Sequence, residues 1–156
     1  MNHPPRIDQA SRHINARPEK VYRAFMDPGS LMVWLPPSGM KAYLDNFEPR
    51  VGGRYRMTLT YETADHTPGK SSTHSDVTEG RYVELVPNER VVHLVDFKSD
   101  DPRFAGTMKM TWSIRPSGSG SEVTFAAEQV PEGISQSDHL KGLNDSLRNL
   151  AGLLER

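Results

Sequence analysis

Hydrophobic and polar residues alternate along most of the chain, which is the period of β-strands that bury one face. The clearest case is the segment 107–114, where Met108, Met110, Trp112 and Ile114 share one face and polar residues share the other. Comparable patterns, bounded by Gly, Pro and Asn, predict seven strands. They cover residues 7–16, 41–47, 55–61, 77–86, 90–98, 107–114 and 121–128. We therefore expect a curved antiparallel meander.

A different period governs the end of the chain, where leucines recur at steps of three and four and form one apolar stripe. The stripe contains Leu140, Leu143, Leu147, Leu150 and Leu154. It predicts a helix over residues 135–155, with Ser135 and Asp138 as a capping-box-like start. Two shorter helices are predicted after the first strand, one opening at Pro18 and one covering residues 30–34. The pattern indicates an α+β fold in which the long helix lies on the sheet.

Three glycines carry structural predictions of their own. Gly52 and Gly53 precede the third strand, and because glycine tolerates positive φ, the pair predicts a tight turn there. Gly142 lies inside the terminal helix, where glycine costs about 1 kcal/mol relative to alanine. We expect a close approach of this helix to the sheet to explain Gly142, with simple tolerance as the alternative.

The composition limits the classes of protein that fit. With 156 residues and 35% hydrophobic composition, a single domain over residues 1–156 is expected, with residues 1–6 frayed and the polar segment 62–76 a mobile loop. A net charge of -1 gives no global attraction to nucleic acid or to an anionic membrane. No apolar run of about twenty residues and no secretion signal is visible, so we expect a cytoplasmic protein without membrane insertion.

The inward-facing residues of the predicted sheet are rich in aromatic side chains and methionine, which can either fill a core or line a pocket. The core role is favoured for most of them. A small-molecule site of about 300 to 1,000 Å3 would use only part of this face, beneath the 62–76 loop. The residues predicted to form its walls are Tyr55, Met57, Tyr61, Met110, Trp112, Phe125 and Leu143.

Three ionisable residues could supply polarity to such a pocket. His93 shares a face with apolar neighbours on its strand and could orient a ligand, although a hydrogen-bonded core histidine is favoured about two to one. Glu79 and Arg81 share the inward parity of their strand unless a bulge at Gly80 changes the register, and we favour the bulge. If Arg81 does face inward, it could pair with a ligand carboxylate or enolate, and Glu79 could act as a base.

The sequence predicts no metal site and no cofactor. Without cysteine there can be no thiolate zinc site, iron–sulfur cluster or thiol nucleophile. His66 and His74 lie with Asp65 and Asp76 in the polar segment, but their spacing fits no metal site that we can justify, so a solvated loop is favoured. Phosphate-loop, nucleophile-elbow and zinc-protease motifs do not occur.

The order of elements resembles the helix-grip fold of the START-like superfamily (SRPBCC), which includes birch-pollen-allergen and polyketide-cyclase relatives. More narrowly, the chain resembles the branch named after the activator of the heat-shock protein 90 ATPase. The shared landmarks are residues 16–25, Trp34, Gly52-Gly53-Arg54-Tyr55, Gly80, Pro87-Asn88-Glu89-Arg90 and His139-Leu140-Lys141-Gly142. Leu143 stands where this branch usually has Trp, a departure that would reshape the cavity.

The resemblance implies a curved sheet around the last helix and a cavity that binds an apolar or aromatic small molecule. Small-molecule binding is therefore the leading hypothesis. One alternative is a chaperone-associated or stress-related interaction protein with a chaperone as partner. Another is a cyclase-type or dehydratase-type enzyme acting in the same cavity, with His93 and Glu79 as the residues that could supply its acid or base.

Overall fold

The structure, a computed structural model, describes residues 5–61 and 75–156. Its strands and helices follow the predicted order, so the α+β helix-grip fold is confirmed. The strands are β1 Ile7–Ile14, β2 Met40–Asp45, β3 Arg54–Tyr61, β4 Ser75–Val86, β5 Arg90–Phe97, β6 Thr107–Ser117 and β7 Gly120–Glu128. The helices are α1 Pro18–Met26, α2 Pro28–Trp34 and α3 Gln136–Leu154, with a 3-10 turn at Pro102–Phe104.

Most of the predicted 62–76 loop lies outside the described residues, as do the first four residues of the predicted frayed start. Ser75 and Asp76, which the sequence placed in that loop, already belong to β4. Arg6, placed in the frayed start, binds the carboxylate of Asp8 through two guanidinium nitrogens. Strand β4 therefore begins two residues earlier than the hydrophobic pattern indicated.

The seven strands form one antiparallel sheet in the order β1-β7-β6-β5-β4-β3-β2. All sequential strands from β2 to β7 are neighbours, and β1 closes the sheet against β7. Because α1 and α2 connect β1 to β2, they join opposite edges of the sheet across one face. We call the face that carries the three helices the inner face and the opposite one the outer face. Helix α3 lies over β1 and against α2.

One end of the inner face, which we call the closed end, is filled by α1 and α2. Phe25 and Trp34 are fully buried there, and each ring centroid lies 5.1 Å from that of Trp112 on β6. The indole Nε1 of Trp34 donates to the carbonyl of Ala24 at 3.0 Å, so its polar edge is satisfied within the core. Phe125 on β7 completes the cluster. This end of the interior is a packed aromatic core.

The other end of the inner face is less completely covered. Because alternate strands of an antiparallel sheet run in the same direction, β3, β5 and β7 all end there. Helix α3, which follows β7, begins there. The apolar residues at these termini are only partly buried: Leu59, Phe97, Val130 and Leu140. We call this region the open end. The two ends of one sheet face thus differ in how far the helices shield them from solvent.

Helix α3 is held by polar contacts in addition to its buried leucines. Ser135 accepts from the backbone N of Asp138 at 3.2 Å, which confirms the predicted helix start. The fully buried Asp8 of β1 accepts from Gln136 at 3.0 Å and contacts Nδ1 of His139 at 2.7 Å. These bonds attach the first turn of α3 to the sheet edge. In the described part of the chain no helix is long and apolar enough to span a membrane.

The glycine predictions have mixed outcomes. Gly52 has φ +84°, and a side chain on Gly53 would collide with the carbonyl of Glu48, so the predicted tight turn needs both glycines. For Gly142 the expected close approach to the sheet is wrong, because a Cβ added there would meet no atom within 4 Å. Gly142 is therefore tolerated in the helix without a packing reason.

Gly80 was a landmark of sequence similarity, and the structure gives it a steric role. It lies opposite Tyr55 in the β3–β4 register, and a Cβ at this position would overlap the Tyr55 ring. The missing side chain lets the ring lie across the β4 backbone. Only glycine leaves that space free.

Replacing Gly80 and Gly142 by alanine should therefore have opposite effects on stability. We expect Gly80→Ala to lower the free energy of unfolding by about 2 kcal/mol or more, because the new methyl group must displace the Tyr55 ring. Gly142→Ala, the matched control, should raise it by about 0.5 to 1 kcal/mol through helix propensity. Urea denaturation measures both, and equal effects of the two substitutions would contradict this account.

Candidate functional site

The centre of the inner face holds a buried tyrosine–histidine pair. Tyr55 lies on β3 opposite Gly80, and His93 lies on β5 opposite Tyr82. The Tyr55 hydroxyl and Nδ1 of His93 are 2.6 Å apart, and both residues are buried. Because Gly80 has no side chain, nothing from β4 stands over the Tyr55 ring as it reaches toward β5. The pair therefore depends on the glycine between the two strands.

Both members of this pair are uncharged at neutral pH. Burial lowers the pKa of His93 to about 3, because the imidazolium would lose its hydration. Burial likewise raises the pKa of Tyr55 well above its ordinary value. A neutral imidazole has one N–H and one bare nitrogen. The Tyr55 hydroxyl has no other acceptor among the described residues, so we assign it as the donor to Nδ1, which places the imidazole proton on Nε2.

Three buried polar atoms of the inner face have no hydrogen-bond partner in the described part of the chain. They are Nε2 of His93, Nε1 of Trp112 and Oγ1 of Thr78. The rings of His93 and Trp112 meet edge to face, with centroids 4.5 Å apart. In such a contact the edge of only one ring points at the face of the other, so at most one of the two N–H groups can use it. Buried polar atoms normally have partners, which makes this group exceptional.

The structure brings most of the predicted site residues to one face. Tyr55, Met57, His93, Met110, Trp112, Phe125 and Leu143 are all buried in the core cluster or directly beside it. Trp112 and Phe125 belong to the packed aromatic cluster of the closed end. Tyr61 continues the inward parity of β3 at its last residue, and 45% of its surface is exposed. The central residues of the predicted set are therefore adjacent, and Tyr61 lies at the rim.

Arg81 and Glu79 face away from this region. The β4 bulge lies between Tyr82 and Glu84, two residues beyond the predicted position at Gly80. Thr78, Gly80 and Tyr82 consequently face inward, while Glu79 and Arg81 lie on the outer face, where Arg81 is exposed. The hypothesis that Arg81 or Glu79 acts inside the cavity is therefore wrong, because the register shift occurs after these two residues rather than between them.

On the outer face, an open groove of about 850 Å3 runs over β3, β4 and β5. Its lining includes Arg54, Arg56 and Arg81, all exposed. Arg54 and Arg81 lie directly opposite each other on neighbouring strands, a pairing of like charges that is normally unfavourable. None of the three guanidinium groups has a hydrogen-bond or ion-pair partner among residues 5–61 and 75–156. The lining also contains the carboxylates of Glu48, Glu79 and Asp96, and Arg56 lies opposite Glu79 in the β3–β4 register, so the groove carries both signs of charge.

Sequence reasoning missed two polar features of the inner face. Thr78 was not singled out, because its inward orientation depends on where the β4 bulge falls. In the sequence, Asp8 is one of several polar residues in an alternating strand, and nothing marks it as buried. In the structure it is fully buried. Burial by itself would raise the pKa of Asp8, but hydrogen bonds from Arg6 and His139 outweigh this and lower it. The only available signal for Asp8 was its position in the inward register of β1.

The residues that the structure describes contain no group of three or more histidine, aspartate or glutamate side chains placed to hold a metal ion. His66, His74 and Asp65, the loop residues considered for that role, lie outside the described residues. At the centre of the inner face the available polar groups are those of the neutral Tyr55, His93 and Trp112 side chains.

The model of the family described as "Activator of Hsp90 ATPase homolog 1-like protein" matches residues 15–155. A crystal structure from Chromobacterium violaceum is similar with 33% identity and a TM-score of 0.84, covering 97% of this chain and 99% of the other. Among functionally curated proteins none matches.

More distant solved structures share the fold. A protein from Rhodobacter sphaeroides is 23% identical with a TM-score of 0.78, covering 98% of this chain and 95% of the other. DynU16, described as a protein of the dynemicin biosynthetic locus, is 17% identical with a TM-score of 0.69. The match to DynU16 covers 97% of this chain and 48% of that protein. At these identities the likeness shows the fold alone.

The pKa of His93 predicts a pH dependence of stability. In the unfolded chain this histidine takes up a proton below about pH 6.5, whereas the folded protein resists protonation down to about pH 3. The contribution of neutral His93 to stability is therefore complete above pH 6.5 and is lost as the pH falls toward 3. Between pH 7 and pH 5 the loss should be about 2 kcal/mol.

Urea denaturation of the native protein and of His93→Gln at pH 7, 6 and 5 tests this. The stability difference between the two proteins should shrink by about 2 kcal/mol over that range. The exposed His13 provides a matched control, since His13→Gln should parallel the native protein. Parallel curves for His93→Gln and the native protein would show that His93 is not kept neutral by the fold.

Proposed function

Because the chain belongs to the family of activator of Hsp90 ATPase homolog 1-like proteins, we propose that it binds a small apolar or aromatic molecule between the sheet and α3. The proposed site begins at the half-buried residues of the open end and extends inward to Tyr55, His93 and Trp112. Met57 and Leu143 form its walls in this proposal. Tyr61 lies at its rim, and Phe125 supports Trp112 from the closed end.

The observation that carries this proposal is the set of unpartnered polar atoms at His93, Trp112 and Thr78. Leaving a polar atom buried without a hydrogen bond costs about 1 to 3 kcal/mol. Three such atoms on one face of a sheet are a large cost for a domain whose total stability is of order 10 kcal/mol. A bound molecule that supplies hydrogen-bond partners would offset part of it.

The open end adds the apolar component of binding. Leu59, Phe97, Val130 and Leu140 are partly buried and surround the start of α3. Covering apolar surface contributes about 25 cal/mol per Å2 removed from water. The two polar points of the site are Thr78 on β4 and His93 on β5. His93 lies opposite Tyr82, which is four residues from Thr78 along β4, so the two points are about 13 Å apart. A ligand that touches both polar points would therefore be an elongated molecule.

Native mass spectrometry of the purified protein, before and after denaturation, tests this function directly. We expect a copurified small molecule that is released on denaturation. Leu59→Trp should reduce its occupancy about tenfold, because the larger side chain occupies the open end at a cost of 1 to 3 kcal/mol to binding. Val33→Trp, on the exposed side of α2, is the matched control and should leave occupancy unchanged.

An empty native protein that also fails to bind apolar compounds in solution would refute the ligand-binding proposal. Equal occupancy in Leu59→Trp and Val33→Trp would show that the ligand does not occupy the open end, but it would not contradict ligand binding.

The outer groove favours a second candidate function, docking of an Hsp90-type chaperone. The family description names the activation of an Hsp90 ATPase for the protein after which it is called. The guanidinium groups of Arg54 and Arg81 are exposed in this groove and could pair with acidic side chains of a partner, since complementary charge speeds association and selects partners. Val51 and Val83, both exposed, lie beside the groove and would add apolar contact.

The double substitution Arg54→Gln with Arg81→Gln should weaken chaperone binding about tenfold at low salt. Arg12→Gln with Arg115→Gln removes the same charge from exposed positions away from the groove and serves as the control. Binding is measured by biolayer interferometry against purified Hsp90, together with its ATPase rate. If both double variants bind like the native protein, the groove is not a chaperone site.

A further inference from the structure

The polar atoms at the centre of the inner face also indicate which ligand chemistry they recognise. This inference rests on the proposed ligand-binding function. Nε1 of Trp112 is a donor and cannot accept a hydrogen bond. Nε2 of His93 is also a donor, because the Tyr55 hydroxyl occupies Nδ1 at 2.6 Å and leaves the proton on Nε2. These two N–H groups, on rings 4.5 Å apart, have no hydrogen-bond acceptor, and the edge-to-face contact between the rings can serve at most one of them.

The same region does not favour a negative charge. Tyr55, His93 and Trp112 are uncharged, and burial maintains this by lowering the pKa of His93 and raising that of Tyr55. The nearest arginine in the β4 register, Arg81, is on the outer face. Asp8, in the same cross-strand row as His93, is a carboxylate already bound by Arg6, Gln136 and His139. Burying an anion beside neutral donors without a counter-charge is costly.

We propose that the inner-face site takes an uncharged, largely apolar molecule bearing a carbonyl-type oxygen, which accepts hydrogen bonds from Nε1–H of Trp112 and Nε2–H of His93. Ketones, quinones, lactones and amides belong to this class. Tyr55 is a positioning residue in this arrangement, because its hydroxyl sets the tautomer of His93 without touching the ligand oxygen. A carbonyl oxygen has two lone pairs and can accept from both donors.

Trp34 shows that the fold itself does not require an unpartnered indole. Its Nε1 donates to the backbone carbonyl of Ala24 at 3.0 Å within the same aromatic cluster. Trp34 and Trp112 are in ring contact and therefore share their surroundings. They differ in that only the Trp34 indole has a hydrogen-bond acceptor. Trp34→Phe is accordingly a matched control for Trp112→Phe.

Three naphthalene probes of similar shape test the ligand class by equilibrium dialysis. They are 2-acetylnaphthalene with a neutral carbonyl, 2-ethylnaphthalene without an acceptor, and 2-naphthoate with a negative charge. We expect the ketone to bind the native protein about tenfold more tightly than the ethyl compound, and the carboxylate to bind more weakly than the ketone. Trp112→Phe should reduce the ketone's advantage at least threefold, whereas Trp34→Phe should preserve it.

The outcomes separate this inference from the proposed function. If ketone and ethyl compound bind equally, or if the carboxylate binds most tightly, the function stands and the assignment of a neutral carbonyl ligand is overturned. If none of the three probes binds, the assignment of a neutral carbonyl ligand is overturned, whereas the proposed function is decided by the native mass spectrum. A persistent ketone preference in Trp112→Phe would also overturn the role given to Trp112.

The histidine tautomer gives a test that needs no ligand. Long-range 1H–15N NMR spectra of the native protein at pH 7 should show the His93 proton on Nε2. In Tyr55→Phe the proton should shift in part to Nδ1, because the hydroxyl that holds Nδ1 bare is gone. A proton on Nδ1 in the native protein would overturn the donor assignment on which the inference depends.

Discussion

The structure depends on a mismatch between the width of the sheet and the width of the helix that covers it. Seven strands about 4.8 Å apart span about 29 Å, whereas one α-helix with its side chains is only about 10 to 12 Å across. A single helix such as α3 cannot shield that face. The sheet therefore curves around it, and α1 and α2 cover the remaining area at the closed end. The three helices cover the open end less completely, so its apolar residues are only partly buried.

Polar contacts decide where α3 sits over this curved face. Leucines alone would let the helix slide or rotate, because apolar contacts have little directionality. Asp8 fixes its first turn through Gln136 and His139. Asp145 fixes its middle by accepting from the backbone of Ser38 and pairing with Lys141 at 3.0 Å. Buried charges bound from several sides are costly to move, so α3 has a defined position over the sheet.

Family membership and site chemistry answer different questions about this protein. The fold is shared by solved structures whose identity to this chain is as low as 14%. A shared fold therefore leaves the ligand open, and specificity depends on the residues placed on the inner face. Here those residues include two ring N–H donors and a threonine hydroxyl in apolar surroundings. The outer face presents a contrasting surface, with exposed arginines and carboxylates lining an open groove. The two faces of one sheet can thus support separate interactions.

Local periodicity was sufficient to predict every strand and helix, since alternation and three-to-four spacing are properties of neighbouring residues. It also placed Tyr55, Met57, His93 and Met110 on one face. The orientation of Arg81 and Glu79 could not be predicted from periodicity. A one-residue bulge reverses the side-chain orientation along β4, and the position of the bulge depends on pairing with β5.

The Tyr55–His93 bond, the buried Asp8 and the unpartnered Trp112 indole were equally inaccessible to sequence reasoning. Each depends on contacts between residues that are distant in the chain. Asp8 and His139, for example, are 131 residues apart. Whether a buried polar atom finds a partner depends on three-dimensional packing across several strands. A linear pattern carries no information about that packing beyond which face each residue occupies.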